Sequence, residues 1–277
     1  MTNKGDKTIV DAVARMTETV RQREATQVIQ LPLWPSPKRG TPNSFIRSAL
    51  FAAIQSKDRV FMKETTLTSQ KGITVKFTGE QLNQEDLSVW ETLAHLARQH
   101  PLGHMCEFTA HGLLKSLGLH TGLSQHKQLH STILRLTACA VEISHESKTY
   151  FGPLVKSGLK DEITNHYHIE LNRELIRLFG ENQWTALDWQ QRKRLRGKHL
   201  AQALHAFYSS HRQPFPIKLD TLRGYVGSKN QQKAGFKVKL RTALDELVNI
   251  GFLKSYHIQT DIVTVDRALQ GLENSNT

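Results

Sequence analysis

Amide and basic side chains recur between residues 229 and 242, and carboxylates are absent from this stretch until Asp245. A Gln side chain can pair with adenine through two hydrogen bonds, an Arg or Lys can pair with guanine, and further Lys side chains suit phosphates. Small residues would let the backbone approach a groove closely. The pattern therefore predicts DNA contact, and the candidate residues are Lys229, Gln231, Lys233, Ala234, Lys237, Val238, Lys239, Arg241 and Thr242.

An apolar stripe in the same stretch predicts the helix that would position these side chains. The stripe consists of Phe236, Leu240, Leu244 and Leu247. We expect this helix to run from about residue 230 to 249 and to end at Gly251, because glycine is the common residue after a helix C-terminus. For an isolated helix, a polar and basic outer face is more often simply solvated. The neighbouring elements favour DNA contact here.

Those elements follow the order of a winged helix-turn-helix. We expect a helix over 192–209, a short strand over 216–219, a helix from Asp220 to Val226 and a hairpin formed by 252–258 and 262–266. Asp220 has the residue type of an N-cap. On the hairpin, Lys254 and His257 are candidate contacts with the DNA backbone or the minor groove.

An earlier block of the chain repeats this order of elements. We expect strands over 59–66 and 73–78, a helix over 85–100, a strand over 107–109, helices over 110–117 and 124–137, and strands over 138–144, 149–155 and 166–171. The outward residues of its last helix are the candidates Ser124, Lys127, Gln128, His130, Ser131 and Arg135. The predicted fold class is α+β and helix-rich, with two tandem winged-helix domains over 45–180 and 181–268, a flexible N-terminal segment with a Pro-rich linker over 1–44, and a disordered tail over 269–277.

A second chemistry is suggested by two imidazoles on one face of a strand, His166 and His168, and by the Tyr-x-x-x-Lys spacing of Tyr225 and Lys229. A nicking endonuclease of the rolling-circle type would use such histidines to bind a divalent metal and such a tyrosine to attack a phosphate. Tyr225 falls inside the helix-turn-helix, where packing is the simpler role, and no third metal ligand is evident. We therefore expect no enzymatic activity, no metal and no cofactor, although nicking and plain repression stay as alternatives.

The composition limits the class of partner. A net charge of +12 favours a polyanion, because each neutralised phosphate releases condensed counterions. Charge alone leaves RNA and anionic membranes open. No apolar run approaches the ~20 residues of a membrane span, and the N-terminus lacks the apolar core of a signal peptide. The expected location is the cytoplasm, where Cys106 and Cys139 would be reduced.

Several stretches in order resemble one family, the TrfA-type replication initiators of broad-host-range plasmids. They are Trp34-Pro35, Pro42-Asn43, Arg47-Ser48-Ala49-Leu50-Phe51, Thr78-Gly79, Val89-Trp90, Pro101-Leu102-Gly103, the run from Ser209 through His211-Arg212 to Pro216, and Lys218-Leu219-Asp220-Thr221-Leu222-Arg223. The resemblance spans roughly residues 34–267. It implies two winged-helix domains that bind the repeated sites of a plasmid origin, called iterons.

The resemblance also implies what such binding does. Proteins of this family bind iterons as monomers, and they pair origins as dimers to limit copy number. They help to open an adjacent A+T-rich region and recruit the host initiator, the replicative helicase and the polymerase sliding clamp. They are not enzymes and need no cofactor.

A clamp-binding motif of the family has a counterpart in Gln30, Leu31, Leu33 and Trp34. An extended segment with its three apolar side chains exposed would suit a hydrophobic groove on the clamp. The alternative is that these side chains pack back on the first domain. The sequence leaves both open.

Overall fold

The computed structural model describes Met16 and residues 31–100, 103–145, 148–180 and 182–268. The helices are α1 (Asn43–Ile46), α2 (Gln84–Ala97), α3 (Ala110–Ser116), α4 (Leu123–Ala138), α5 (Arg173–Ile176), α6 (Trp189–Arg194), α7 (His199–Ser209), α8 (Leu219–Tyr225) and α9 (Lys233–Asn249). Within these described residues, no helix combines the length and the apolar character needed to cross a membrane. The expectations for the N-terminal segment before Leu31, apart from Met16, and for the tail over 269–277 lie outside the described residues.

The strands are β1 (Lys38–Pro42), β2 (Phe51–Ala52), β3 (Phe61–Leu67), β4 (Ile73–Glu80), β5 (Leu82–Asn83), β6 (Met105–Thr109), β7 (Ala140–His145), β8 (Lys148–Gly152), β9 (Val155–Lys160), β10 (His166–Leu171), β11 (Trp184–Asp188), β12 (Ile217–Lys218), β13 (Leu253–Gln259) and β14 (Ile262–Arg267). Buried apolar side chains form two clusters. One extends from Leu31 to Trp189 and includes Ala206 of α7, and the other extends from Leu195 to Val265. We refer to the parts of the chain around these clusters as the first and second units.

In the first unit, α2, α3 and α4 pack beside a three-stranded antiparallel sheet of order β6-β10-β9. The helix starts are fixed by local bonds. Asn83 and Asp86 form a reciprocal capping box at α2, and the Thr109 hydroxyl accepts the Gly112 amide at α3. Both starts agree with the sequence expectation to within a residue or two.

Strands β7 and β8 belong to a different sheet from the one expected. They extend the hairpin of β3 and β4 into a four-stranded sheet of order β3-β4-β7-β8. The inward residues Val75 and Phe77 of β4 lie beside Val141 and Ile143 of β7, and all four are buried. The alternating pattern predicted β7, β8 and β10 but merged the start of β9 into the strand expected over 149–155, and it carries no information about which strand pairs with which. The wing position beside β6 is taken by β9 and β10.

The expectation of a flexible segment with a Pro-rich linker over residues 1–44 is wrong for its described part, residues 31–44. Strand β1 pairs with β11 in antiparallel register, and α1 follows it with all four residues buried. Trp34 lies over Gly40, where an added Cβ would be 2.5 Å from the indole ring. The prolines broke any helical pattern, and long-range pairing with β11 was not visible locally.

The second unit repeats the sheet order of the first unit. Strand β12 pairs with β14, and β14 pairs with β13, beside α7, α8 and α9. Two local expectations need correction. The helix expected over 192–209 is two helices, because Gly197 adopts a positive φ of 74° between α6 and α7. Asp220 lies in the first turn of α8 rather than capping it, and its carboxylate is 3.2 Å from Arg223.

The two units are joined by direct contacts as well as by the chain. The Ala53 amide donates to the Val226 carbonyl at 2.7 Å, and Nε of Arg47 donates to the Ser210 hydroxyl at 2.9 Å. Gly227 approaches Ala52 so closely that an added Cβ would be 2.8 Å from the Ala52 Cβ. The turn between α8 and α9 is therefore packed against the first unit.

We expect the protein to lose stability in mild acid because of the buried His205 side chain. Its imidazole is fully buried in α7, and burial, aided by Arg192, lowers its pKa to about 3. The unfolded chain takes up a proton near pH 6.5 and the folded chain does not, so stability present above that pH is lost as the pH falls toward 3. We expect His205 to contribute a loss of about 2 kcal/mol between pH 7 and pH 5.

Denaturant unfolding at a series of pH values tests this expectation, and His205→Gln is the informative variant because it cannot titrate. Its stability should fall less steeply below about pH 6.5 than that of the unmodified chain. His95 has a pKa lowered to about 4, first by burial and then by Arg39 and Arg98, so some slope should remain. An identical slope in both proteins would contradict the assignment.

Candidate nucleic-acid interface

The outer face of α9 carries most of the residues predicted from the sequence. Its inner stripe is buried as expected, with Phe236, Leu240, Leu244 and Leu247 each fully enclosed. The predicted residues that are exposed on the helix are Lys233, Ala234, Val238, Lys239, Arg241 and Thr242, and Asp245, also exposed, accepts from the Tyr256 hydroxyl at 2.7 Å. Val238 is 63% exposed. A thymine methyl group is one chemical partner for such a side chain.

Two of the lysines on α9 are bonded to the β13–β14 hairpin, which we call the wing. The Lys233 ammonium pairs with Asp261 and lies 3.7 Å from Asp220, and Lys237 donates to the Thr260 carbonyl at 3.0 Å. The Asp261 bond raises the Lys233 pKa above its ordinary value. The turn between β13 and β14 is thus fastened to the first turns of α9. These bonds make the two lysines positioning residues for the wing as well as candidate phosphate contacts.

Two candidate residues precede α9, which begins at Lys233 instead of near residue 230. Lys229 donates to the carbonyl of Asp58 in the first unit, so its ammonium is turned toward that unit. The Gln231 side chain is exposed, and the backbone carbonyl of Gln231 accepts a hydrogen bond from the Arg223 guanidinium at 2.8 Å. Its side chain therefore lies at the helix start, where recognition helices present side chains to base edges.

The wing candidates are on β13. Lys254 and His257 are both exposed, and the Lys254 ammonium lies 4.0 Å from Asp266 across the hairpin. The two carboxylates near the wing, Asp261 and Asp266, are each opposite a lysine. The wing consequently presents little unpaired negative charge toward the side of α9.

On α4, four of the six candidates lie at the surface and two do not. Ser124, Lys127, Gln128 and Ser131 are exposed. The expectation that Arg135 faces outward is wrong, because its guanidinium binds buried Asp86 at 3.1 Å and Glu80 at 3.1 Å. His130 is half-buried, and its Nδ1 is 3.1 Å from the Tyr167 hydroxyl. Helical periodicity predicted an outward side chain for Arg135 because the two carboxylates that bind it, Asp86 and Glu80, are distant in sequence.

The structure adds a candidate surface that sequence reasoning missed, on the β9–β10 hairpin of the first unit. Lys156 and Lys160 lie on β9, bonded to Glu170 at 2.7 Å and Glu162 at 2.5 Å. These lysines take the place that Lys254 has in the second unit, since β9 and β13 are topological equivalents. The repeated order of elements in the sequence indicated that the first unit has such a hairpin. It placed the hairpin at the strands expected over 138–144 and 149–155 instead of at β9 and β10.

The residues considered for nicking are not gathered into one site. His166 and His168 are exposed on β10 with ring centroids 6.3 Å apart, and His168 Nδ1 is 3.1 Å from Glu107. Tyr225 is half-buried against the second cluster, and its ring centroid is 5.7 Å from that of Phe207. Among the described residues, no three His, Cys, Asp or Glu side chains are arranged to hold a metal ion.

The segment considered for clamp binding is mostly buried. Leu31 and Trp34 are each 3% exposed, whereas Leu33 is 82% exposed, and Gln30 lies outside the described residues. The Trp34 indole donates to His95 at 3.0 Å and stacks on Phe179. Of the two alternatives left open by the sequence, packing against the first unit therefore holds for Leu31 and Trp34, whereas Leu33 is exposed.

Fold and surface together define a basic α+β protein in which two units each place three helices beside a three-stranded sheet. The sequence model of the family described as TrfA protein matches residues 7–267, and the chain belongs to this family. A curated relative from Escherichia coli, named plasmid replication initiator protein TrfA, is 24% identical over 290 residues, with 96% of this chain and 75% of the relative covered.

Solved structures support the fold. The chain is similar to a crystal structure of domains 2 and 3 of RctB in selenomethionine form, with a TM-score of 0.56 at 11% identity, covering 83% of this chain and 99% of that chain. A second structure of RctB domains 2–3 gives a TM-score of 0.51 at 12% identity, covering 79% and 94%. At such identities the likeness concerns the fold alone.

Proposed function

We propose that this protein is a plasmid replication initiator that binds double-stranded DNA at its origin. The observation that carries the proposal is the family match over residues 7–267, together with the relative named a plasmid replication initiator. The net charge of +12 and the exposed basic face of α9 supply the chemistry that DNA binding requires.

We further propose that each unit is a winged-helix domain and that α4 and α9 enter the major groove. The repeated sheet order supports this proposal, because β6-β10-β9 and β12-β14-β13 place a hairpin in the same position beside each helix pair. Gln231 and Arg241 are assigned to base edges, and Lys127, Lys239, Lys254 and His257 to backbone contacts. We put the boundary between the domains between Trp189 and Leu195, later than the boundary at residue 180 expected from the sequence, because membership of the two apolar clusters changes there for every buried residue except Ala206.

The finer parts of the proposal concern events at the origin. The protein binds iterons as a monomer, promotes opening of the A+T-rich region and recruits the host initiator, helicase and clamp, and its dimer limits copy number. Footprinting on the cognate origin should show regularly spaced protection. An origin-dependent replication assay with the same DNA separates an initiator from a repressor, because a repressor would protect the DNA without supporting replication.

The nicking alternative is tested on supercoiled origin DNA with Mg²⁺. We expect no covalent protein–DNA adduct and the same behaviour for Tyr225→Phe as for the unmodified chain. An adduct that disappears in Tyr225→Phe would overturn the initiator assignment in favour of a nuclease.

Arg241→Ala and Lys239→Ala should weaken binding in different ways. Arg241→Ala should cost about 1–3 kcal/mol on the cognate site and reduce the preference over other sequences. Lys239→Ala should weaken binding to all duplexes alike and flatten the dependence of log K on log salt by about one unit. Titrations by fluorescence anisotropy at several salt concentrations separate these patterns. Unmodified binding by both variants would contradict the orientation given to α9.

A further inference from the structure

A cleft of about 300 Å³ lies between the helices of the first unit and the segment that leads into the second. Its walls come from α2, α3 and α4 on one side and from α6, Gly197 and α7 on the other. This volume is within the range of cavities that bind small molecules, ~300–1,000 Å³. The assigned DNA-contact residues do not account for it, apart from Gln128 at its edge.

The floor of the cleft is apolar. The side chains that form it are Val89, Leu114, Leu117, Leu129 and Trp189, all of them buried. The Trp189 indole donates to the Ser116 carbonyl at 3.2 Å, which fixes the ring in place. An apolar cavity held by rigid side chains offers favourable burial to an aromatic or aliphatic group.

The edge of the cleft is cationic. Lys193 and Arg196 both line it, and the Arg196 guanidinium is fixed by a bond to the Leu117 carbonyl at 2.7 Å. Glu85 is the acidic side chain among the lining residues of the described chain. Its carboxylate accepts from Ser56 at 3.0 Å and lies 4.0 Å from His199. Burial lowers the pKa of His199, so this imidazole does not offset the Glu85 charge, but Lys193 and Arg196 outnumber that carboxylate and the balance at the edge favours an anion.

A polar group inside the cleft has unused hydrogen-bonding capacity. Gln202 lines the cleft, is 4% exposed, and its Oε1 has no hydrogen-bond partner among the described residues. A buried carbonyl of this kind is unfavourable until it accepts a hydrogen bond. An N–H or O–H group on an occupant could supply that bond after a small side-chain rotation.

We propose that this cleft binds a small organic anion, with an apolar aromatic or aliphatic body on the floor, its acid group beside Lys193 and Arg196, and an N–H or O–H donor near Gln202. The occupant would contact Gln125 and Leu129 of α4 and the segment between the two units at the same time. It would therefore be held against the helix that we assign to DNA contact in the first unit. The site itself does not depend on that assignment.

The test uses the full chain without DNA and a matched pair of fluorescent probes. The probes are 8-anilino-1-naphthalenesulfonate and its uncharged counterpart 1-anilinonaphthalene, which has the same ring system and N–H donor. We expect saturable binding of the sulfonate with one site per chain. The sulfonate should bind at least about 5-fold more tightly than the neutral probe, because the acid group adds a charge-assisted contact.

Three variants locate the binding. Lys193→Glu should remove the preference for the sulfonate, and Ser88→Leu, which fills the cleft from α2, should weaken both probes. Lys63→Glu on exposed β3 has the same charge change and should bind both probes as the unmodified chain does. Circular dichroism tests whether each variant is folded. If Ser88→Leu does not fold, the comparison of Lys193→Glu with Lys63→Glu alone tests whether the probe binds in the cleft.

The proposal is overturned if the unmodified chain shows no saturable binding of the sulfonate. It is also overturned if Lys193→Glu and Lys63→Glu change the affinity equally, because the attraction would then be a property of the net charge. Equal affinity for the two probes would show an apolar site without anion recognition. DNA binding is measured separately, so that failure here leaves the proposed function untouched.

Discussion

Glu91→Ala or Arg192→Ala should each lower the free energy of unfolding by about 3–5 kcal/mol, because either change leaves an uncompensated charge in the core. Nε of Arg192 lies 2.9 Å from Oε2 of Glu91, and the two side chains are 1% and 0% exposed. Glu91 also accepts from the Thr41 hydroxyl at 2.8 Å, and Arg192 donates to the Gln84 side chain at 3.1 Å. Burial raises the pKa of Glu91, and Arg192 and Thr41 oppose that shift.

Two comparisons separate burial from pairing. The exposed pair Lys76–Glu142 has the same 2.9 Å separation, and Glu142→Ala should cost no more than about 1 kcal/mol. The double variant Glu91→Gln with Arg192→Met removes both charges, and it should recover much of the loss of the single variants. Urea unfolding of the full chain measures all of them. Equal losses at the buried and the exposed pair would contradict the reason given.

Gly227→Ala should destabilise the protein by about 2–6 kcal/mol, because the new Cβ brings both a backbone penalty and a steric penalty. The residue has a φ of 61°, a conformation that costs a side-chain-bearing residue about 1–3 kcal/mol. The new Cβ would also be 2.8 Å from the Cβ and 3.1 Å from the Cα of Ala52. Overpacking of this kind costs about 1–3 kcal/mol more.

Gly251 offers a matched control for Gly227. It has a φ of 75°, but an added Cβ would meet no described atom within 4 Å. Gly251→Ala should therefore show only the backbone penalty, about 1–3 kcal/mol. Ala52→Gly combined with Gly227→Ala should recover part of the second penalty, because it removes the nearest atom. A Gly227→Ala variant no less stable than Gly251→Ala would mean that the two units are not pressed together at this turn.

Local patterns in the sequence predicted the elements of the second unit well. The apolar stripe from Phe236 to Leu247 predicted α9, and Gly251 predicted where the helix ends. Both signals depend only on residues a few positions apart. Pairing between distant strands was beyond such signals. Strand β1 pairs with β11 about 150 residues away, a separation that Lys38 and Asp188 span with an ion pair at 2.9 Å.

For the candidate DNA-contact residues too, local patterns predicted some positions and contacts between distant residues decided others. Exposure of Val238, Lys239 and Arg241 followed from their position opposite the apolar stripe. Arg135 occupies an equivalent outward position on α4 and is nevertheless held by Asp86, a contact 49 residues apart in sequence. Lys229 likewise turns toward Asp58 of the first unit. Helical periodicity gives the direction of a side chain, whereas long charged side chains follow whichever partner lies within reach.

The packing of Gly227 against Ala52 has a consequence for DNA recognition by α4 and α9, which we have proposed as the two reading helices. Two reading helices on a flexible tether could each find a matching sequence at variable separation. Two helices on docked units share one fixed offset and one fixed rotation about the duplex axis. DNA turns once in about 10.5 base pairs. Inserting about half that number between the two contacted segments would rotate one segment to the opposite side of the duplex, whereas inserting a whole turn would restore its facing but not its distance. Under the proposed assignment, the protein would recognise the spacing and helical phase of its site as well as its bases.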